Sequence, residues 1–474
     1  MDIVFVASEM TPFSKTGGLA DVAEALPRAL AARGHSVWAI SPRYRPIDGE
    51  VASDARFHVR LFGMVHEVRL YEVKEGGVSF VLVDHPSFHR AGIYGDAHGS
   101  YGDNLFRFAL LTRTALELGL AVSERPVFHA NDWHTALLPV FLDAKYRPRG
   151  LLKHAATVLG LHNLGHQGSA DGAAFDGLDI DGRFWPTVEM SGRLNPLKAG
   201  IVSADALVAV SPSYAKQIQA DHGFGLESVL RMRSDWLVGV LNGIDDRWDP
   251  ATDPHLAENF DASDLAGKAA CKRALQQEMG LPVRPDVPML GLISRLDHQK
   301  GVDLVQEISP WLLERDVQLM MLGSGAPEFE HFFREVERRW PDRARGWVGF
   351  NEPLAHRIEA ACDIFLMPSR FEPCGLNQMY SMRYGTVPIV HATGGLADTV
   401  TTVDPRHDRG NGWAFSPLTS AAFARSVTYA LETYWNYPEA WRRIQERGMT
   451  TDFSWDRSAA LYEEIYQRVL AKRA

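Results

Sequence analysis

The sequence of 474 residues has only three cysteines, no long hydrophobic run and no block of basic residues. Cys271, Cys362 and Cys374 are widely spaced and form no C-x-x-C pair, which argues against disulfides and structural zinc and predicts a reducing, cytoplasmic location. No apolar run approaches the roughly 20 residues of a membrane helix, so we expect no membrane association. A net charge of −10 without a lysine- or arginine-rich segment argues against nucleic acid as a partner.

Sequence motifs for common cofactors are missing as well. The absence of G-x-G-x-x-G and of G-x-x-x-x-G-K-[ST] counts against nicotinamide cofactors and P-loop nucleotide binding. His129 and His134 lack the spacing of H-E-x-x-H, and Asp179 and Asp181 lie in a stretch typical of a solvated loop. We therefore predict neither a metal nor a cofactor. The chain starts directly with a strand pattern, so we also expect no signal peptide.

Both halves of the sequence alternate strand-like and helix-like segments, and the length favours two domains. Predicted strands lie at 2–7, 36–40, 126–130, 155–161, 206–210 and 237–241, then at 289–293, 318–322, 345–348, 364–367 and 388–390, with a hairpin within 57–83. Predicted helices lie at 19–30 (bent or split at Pro27), 104–118, 133–144, 301–315, 327–340, 353–362 and 375–385. Repeated βα units predict an α/β protein with two doubly wound, Rossmann-like domains. The turn-rich passage 242–250 predicts a boundary between domains 1–243 and 244–454, followed by a final helix at 455–474.

The first predicted strand leads into the stretch from Lys15 to Asp21, which contains Gly17 and Gly18 and opens a helix. Glycines let the backbone approach a ligand, and the first N–H groups of a helix favour an anion. Lys15 adds a positive charge. The hexapeptide Thr-Gly-Gly-Leu-Ala-Asp recurs at 393–398 after another strand-like run. We therefore predict two loops that face a phosphate or a sugar.

Two further loops in the second half follow predicted strands. Arg295 and Lys300 follow the strand at 289–293, and two cations on such a loop suit a diphosphate. Glu372 follows the strand at 364–367, where a carboxylate can accept hydrogen bonds from ligand hydroxyls or cap the next helix. Cys374 is interpreted as a packed thiol, because no histidine lies nearby in the sequence.

Candidate sugar-binding residues occur in the first half. His162 and Asn163 follow the strand at 155–161, which places them at a strand end where they can meet a ligand. Asp132 and Trp133 follow the strand at 126–130, and such residues hold sugars by hydroxyl bonding and ring stacking.

In their order along the chain, these motifs resemble those of bacterial glycogen synthases and their relatives, the plant starch synthases. The resemblance rests on 15–21, the His162 loop, 294–301, 369–376 and 393–398, and extends to 94–104, 197–200 and 240–245. It implies a GT-B glycosyltransferase with two Rossmann-like domains facing a central cleft, whose final helix packs back on the N-terminal domain. The reaction implied is transfer of glucose from ADP-glucose to the 4-hydroxyl at the non-reducing end of an α-1,4-glucan such as glycogen, with retention of configuration.

The resemblance also implies roles for individual residues. The implied catalytic residues are Lys15, His162, Arg295, Lys300 and Glu372. Arg295 and Lys300 hold the departing diphosphate, which Lys15 and the Gly17–Gly18 backbone reach from the other domain. Glu372 and the backbone of Cys374, Gly375 and Leu376 orient the glucose, with His162 beside it. Asn242 and Tyr380 are further ADP-glucose contacts, and Tyr94, Asp132 and Trp133 lie on the acceptor side.

Three alternatives stay open at this point. Another retaining GT-B enzyme, of the sucrose or maltosyl-phosphate type, usually has a second glutamate eight positions after the first, where this chain has Tyr380. A non-catalytic glucan- or nucleotide-binding protein has no need of the leaving-group cations. A pyridoxal-phosphate phosphorylase is considerably longer. The chain also departs from the family at Gly165-His166 and at Pro196. How strictly ADP-glucose is preferred over UDP-glucose, the oligomeric state and protein partners are not predicted.

Overall fold

A computed structural model describes all 474 residues. The chain forms two compact units: unit 1 comprises Met1–Gly243 with Trp455–Ala474, and unit 2 comprises Ile244–Ser454. None of the helices is long and apolar enough to cross a membrane.

Unit 1 is built on a nine-stranded sheet. Its strands and the shorter ones of this unit are β1 Asp2–Val6, β2 Ser36–Pro42, β3 Val51–Leu61, β4 Met64–Glu75, β5 Val78–Asp84, β6 Gly95–Asp96, β7 Gly99–Ser100, β8 Val127–Asn131, β9 Ala156–Leu161, β10 Ala170–Asp171, β11 Glu189–Met190, β12 Arg193–Leu194, β13 Ala206–Ala209 and β14 Leu237–Gly239. The order is β14-β13-β9-β8-β1-β2-β5-β4-β3. All strands run in the same direction except β4, which pairs antiparallel with both β5 and β3. The predicted hairpin is confirmed, since β4 and β5 pair antiparallel across Gly76 and Gly77.

Two helix predictions for unit 1 were wrong, and its last four helices before the domain boundary were missed. The helices of unit 1 are α1 Gly18–Ala32, α2 Asn104–Val122, α3 Asp132–Thr135, α4 Leu138–Phe141, α5 Trp185–Val188, α6 Pro196–Ser203, α7 Pro212–Gln217 and α8 Glu227–Arg231. The predicted split at Pro27 was wrong: α1 is one continuous helix whose apolar side, including Pro27, is buried. The alternative, a bend at Pro27, stays a prediction. The single helix at 133–144 was also wrong, because Pro139 lacks the N–H needed to continue it, and α3, α4 and a π-helical turn replace it.

Unit 2 contains a six-stranded, fully parallel sheet in the order β17-β16-β15-β18-β19-β20. The strands are β15 Met289–Leu296, β16 Gln318–Gly325, β17 Ala344–Val348, β18 Ile364–Met367, β19 Val387–His391 and β20 Trp413–Phe415. The helices are α9 Ala266–Glu278, α10 Val302–Leu313, α11 Pro327–Arg339, α12 Glu352–Ala361, α13 Asn377–Arg383, α14 Gly394–Thr399, α15 Ser420–Asn436 and α16 Pro438–Met449. The five predicted strands are confirmed, whereas β20, α9, α15 and α16 were missed.

The last helix, α17 (Trp455–Lys472), belongs to unit 1. Its buried side chains, among them Tyr462, Tyr466 and Val469, share a core with Phe5 of β1. The Tyr466 hydroxyl also lies 2.6 Å from Nδ1 of His129 on β8. The final helix therefore packs against β1 and β8, the central strands whose carboxyl ends carry the candidate site.

Candidate active site

The predicted site residues of unit 1 lie where the strand order reverses. From β1 the chain continues through β2 and β5 on one side, and from β8 it continues through β9 and β13 on the other. Ligands of open α/β sheets bind at the carboxyl ends of strands at such a switch point. Lys15 and Gly17 follow β1, Asp132 follows β8 and His162 follows β9, so the sheet brings these residues to one edge.

The glycine loop after β1 is already bonded to a carboxylate. Oε2 of Glu9 accepts the N–H of Thr16 and, at 3.3 Å, that of Gly17. Glu9 is only 3% exposed, and burial raises its pKa to about 7 although the two N–H groups lower it. The expectation of free amide groups at Gly17 was therefore wrong, because an internal carboxylate occupies them.

Lys15 is likewise paired within unit 1. Its Nζ lies 2.8 Å from Oδ1 of Asp21, which also accepts a hydrogen bond from the hydroxyl of Thr11. The lysine side chain is 47% exposed. An exposed ion pair contributes little stability, so a ligand anion can compete with Asp21 for this cation at small cost.

The free energy of unfolding of the wild type is expected to fall as the pH rises from 4.5 to 7, and Glu9→Gln is expected to reduce this fall. The pKa of Glu9 rises from 4.5 to about 7 on folding, so the folded protein holds this proton more tightly than the unfolded chain does. Its contribution is full below pH 4.5 and is lost as the pH rises through 7, by about 3 kcal/mol. Urea unfolding at several pH values measures this slope, with Glu328→Gln, at an exposed position, as the control. A Glu9→Gln slope equal to that of the wild type would contradict the assignment.

Asp132 holds the His162 loop in place. Its Oδ1 accepts the N–H groups of His162 at 2.7 Å and of Asn163 at 3.3 Å, while Oδ2 bonds no protein group. Burial raises the pKa of Asp132 to about 7, against the lowering effect of these two N–H groups. Asp132 thus has one oxygen for structure and one for a ligand hydroxyl, which fits the predicted acceptor-side position.

The two predicted aromatic acceptor residues are packed against protein groups. The Tyr94 hydroxyl lies 2.8 Å from Oγ of Ser8, and its ring stacks on His134 at 4.7 Å. Trp133 packs on Phe108 and against Gly168, where an added Cβ would lie 2.0 Å from the indole. Both rings remain partly exposed, so a sugar can meet their free faces.

In unit 2 the strand order reverses between β15 and β18, and the predicted loops follow these two strands. Lys300 and Glu372 form an ion pair, with Nζ 2.6 Å from Oε2. Ser369 donates to the same oxygen at 3.3 Å. Arg295 is 66% exposed and contacts only Asp297, at 3.3 Å, and Gln299, at 3.4 Å. The switch point therefore presents a largely solvent-exposed guanidinium beside a neutralised lysine–glutamate pair.

Close packing fixes the two loops of unit 2 to each other. Gly301 has a φ of 70°, and a Cβ there would lie 2.0 Å from the carbonyl oxygen of Pro368. Arg370 binds Asp303 through two hydrogen bonds of 2.7 Å and donates its backbone N–H to the carbonyl of Gln299. The loops after β15 and β18 therefore keep a defined spacing.

The second copy of the hexapeptide packs against the loop after β18. Gly394 and Gly395 are buried against the loop that carries Glu372: Cβ atoms there would lie 2.0 Å from the carbonyl oxygens of Glu372 and Cys374. Gly395 also donates its N–H to the Glu372 carbonyl at 3.1 Å. These glycines allow close packing that supports Glu372, and the prediction that this loop also faces a phosphate or a sugar stays a prediction.

The other residues predicted to contact ADP-glucose differ in their burial and in their contacts. Tyr380 is buried in α13 with its ring stacked on Trp248 at 4.0 Å. Cys374 is 5% exposed and forms no disulfide, as expected of a packed thiol. Gly375 and Leu376 connect it to α13. In unit 1, Asn242 has a buried Oδ1 without a protein partner.

Two residues at the strand ends were missed by the sequence reasoning. Glu9 lies three residues after the end of β1, and a carboxylate at that position was a usable signal. Phe350 follows the end of β17 and is 84% exposed. Since β17 lies two strands from β15, Phe350 is about 10 Å across the sheet from the Arg295 loop.

Comparison with known proteins agrees with this arrangement. Residues 2–232 match the family described as starch synthase catalytic domain, and residues 278–448 match glycosyl transferases group 1. Together with the two parallel sheets, these matches define a glycosyltransferase of the GT-B fold. A glycogen synthase of Anaeromyxobacter sp. (strain Fw109-5) is 50% identical, over 99% of this chain and 100% of that protein. Starch synthase 1 of Arabidopsis thaliana is 44% identical, over 99% of this chain and 77% of that protein. The chain belongs to the family of glycogen and starch synthases.

Solved structures show the same fold. The catalytic domain of starch synthase IV from Arabidopsis thaliana, bound to ADP and acarbose, matches with a TM-score of 0.91 and 35% identity over 99% of both chains. Sucrose-phosphate synthase from Thermosynechococcus elongatus matches with a TM-score of 0.62 at 17% identity, which shows the fold alone. The predicted family, fold class and enzyme class are confirmed.

Proposed function

We propose that this protein transfers glucose from ADP-glucose to the 4-hydroxyl at the non-reducing end of an α-1,4-glucan, with retention of configuration. The observation that carries the proposal is the Lys300–Glu372 pair beside the exposed Arg295 at the switch point of unit 2. The ADP and acarbose bound by the related starch synthase IV support a nucleotide donor and a glucan-like acceptor.

The chemistry of the proposed reaction suits these groups. Breaking the bond between glucose and a diphosphate leaves negative charge on the departing oxygens. Cations fixed at that position stabilise the transition state more than the ground state. Arg295 can bind two oxygens at once, and Lys300 acts as a point charge that Glu372 holds in place. Because Arg295 and Lys300 would offset charge that develops on the leaving group, we propose that no divalent metal is required. The role of Lys15 at the same diphosphate stays a prediction.

The proposed donor also needs a place for its base. Phe350 offers an exposed aromatic face at the end of β17, within reach of a nucleotide whose diphosphate lies at Arg295. A purine stacks well on such a face. Tyr380, by contrast, presents no carboxylate for a ribose, which argues against the sucrose-type alternative. We also propose a reducing, cytoplasmic location, which the presence of three buried cysteines and no disulfide supports.

Transfer of labelled glucose onto glycogen tests the proposal. Incorporation is expected to be faster from ADP-glucose than from UDP-glucose and to be unchanged by EDTA, because the charge is supplied by side chains. Heat-inactivated protein gives the background. Activity with UDP-glucose alone would contradict the proposed donor, and loss of activity in EDTA that Mg²⁺ restores would contradict the proposed metal independence.

A further inference from the structure

The side-chain amide of Asn131, the last residue of β8, has only one possible orientation. One of its terminal atoms lies 3.0 Å from the carbonyl oxygen of Val6 and 3.3 Å from that of His129. Carbonyl oxygens only accept hydrogen bonds, so this atom is the NH₂ nitrogen. The other terminal atom is therefore the oxygen, and it lies 2.9 Å from Nε2 of His162.

This orientation determines where His162 carries its proton. An amide oxygen can only accept, so Nε2 of His162 must be the donor and must carry hydrogen. Nδ1 bonds no group of the protein, and the side chain is only partly buried. Burial also lowers the pKa of His162 to about 4, so the ring is neutral at pH 7 and Nδ1 has a free lone pair.

We propose that Asn131 is a positioning residue that holds His162 in its Nε2–H tautomer, so that Nδ1 accepts a hydrogen bond from a hydroxyl of the substrate sugar. That the hydroxyl belongs to a sugar rests on the proposed function, whereas the assignment of the tautomer does not. One consequence is that Nδ1 of His162 has no proton to give, so His162 does not act as a general acid toward the leaving phosphate.

The surrounding backbone keeps this arrangement in place. Gly160 of β9 is the strand partner of Asn131. A Cβ atom at Gly160 would lie 2.7 Å from Oδ1 of Asn131 and 3.0 Å from Nε2 of His162. Only a glycine leaves room for the bond between them. Asp132 holds the backbone of His162 at the same time, through the 2.7 Å hydrogen bond to its N–H. Ring and backbone are thus fixed by adjacent residues at the end of one strand.

Nitrogen NMR of the whole protein, labelled with ¹⁵N-histidine at pH 7 without substrate, tests the tautomer directly. The His162 signals are identified by their loss in His162→Gln. We expect a proton-bearing Nε2 and an unprotonated Nδ1 in the wild type. In Asn131→Leu we expect a mixture of tautomers. A protonated Nδ1 in the wild type overturns the proposal, and this measurement needs no folded variant of Asn131.

Glucosyl-transfer kinetics test the consequence for the sugar. In Asn131→Leu, kcat is expected to fall about 10-fold, the effect of losing about one oriented hydrogen bond, while the KM for glycogen changes little. Thr157→Val is the matched control: it removes a buried hydrogen bond to Asp205 near the opposite end of β9 and is expected to lower stability without changing kcat. An unchanged kcat in Asn131→Leu overturns the positioning role. If the substrate assignment is wrong instead, wild-type transfer fails while the NMR result stands.

Discussion

Replacing Lys300 by alanine is expected to lower kcat for glucosyl transfer by about 10² to 10³, the usual effect of removing one preorganised contact to developing charge. Two causes act together. The substitution removes a cation from the proposed leaving group, and it leaves the Glu372 carboxylate, at present 2.6 Å from Nζ, without its partner. Glycogen binding is expected to stay near normal. Initial rates at varied ADP-glucose and glycogen, with glycogen affinity measured separately, check both expectations.

Loss of stability must be separated from loss of catalysis in this experiment, since breaking a buried ion pair costs about 3 kcal/mol or more. Lys272 provides a matched control in the same unit. Its Nζ lies 2.7 Å from Oδ2 of Asp363, and both side chains are largely buried. Asp363 directly precedes β18, so this pair lies at the opposite edge of the sheet from Lys300. Lys272→Ala should therefore lower the unfolding midpoint without a comparable fall in kcat. Equal kcat in both variants would remove Lys300 from the mechanism.

The alternation of strands and helices allowed most of the fold to be predicted. Strands β16, β18 and β19 contain continuous apolar runs bounded by turns, which is the pattern of a buried strand. Strand β20 was missed because Trp413–Phe415 is too short to show a period. At Pro27 the sequence predicted a split that the structure does not have. The packing of the buried side of α1 outweighs the one hydrogen bond that a proline removes.

The candidate site could be predicted only as far as loop positions allow. Sequence order and the switch-point rule placed Arg295 and Glu372 at strand ends. The partner of each group was not predictable from sequence order. Glu9, in the turn after β1, accepts the N–H of Gly17, and Asp21, on α1, pairs with Lys15. The Lys300–Glu372 pair joins loops 72 residues apart. The repeated hexapeptide shows the same limit: one sequence is exposed at Gly17 and buried at Gly394, according to what packs on it.

Two arginines of unit 2, Arg295 at the end of β15 and Arg370 after β18, differ in how much of their charge is available to a ligand. Arg370 is held by Asp303 through two hydrogen bonds of 2.7 Å, so its charge is already matched. Arg295 is 66% exposed, and its one carboxylate contact, with Asp297, is 3.3 Å long. Arg295 is therefore the cation of this pair that can turn to a diphosphate without breaking a strong bond.

Arg295→Ala is accordingly expected to lower kcat/KM for ADP-glucose by about 10² to 10³ while the unfolding free energy stays within about 0.5 kcal/mol of the wild-type value. Arg295→Lys should recover only part of the rate, because an ammonium cannot bind two oxygens in the plane of a guanidinium. Arg338→Ala, at a 75% exposed arginine paired with Glu335 on α11, is the control and should match the wild type in both measurements. Donor-dependent kinetics and urea unfolding of the same preparations give the result. An Arg295→Ala enzyme with wild-type kcat/KM would show that the leaving group is stabilised elsewhere.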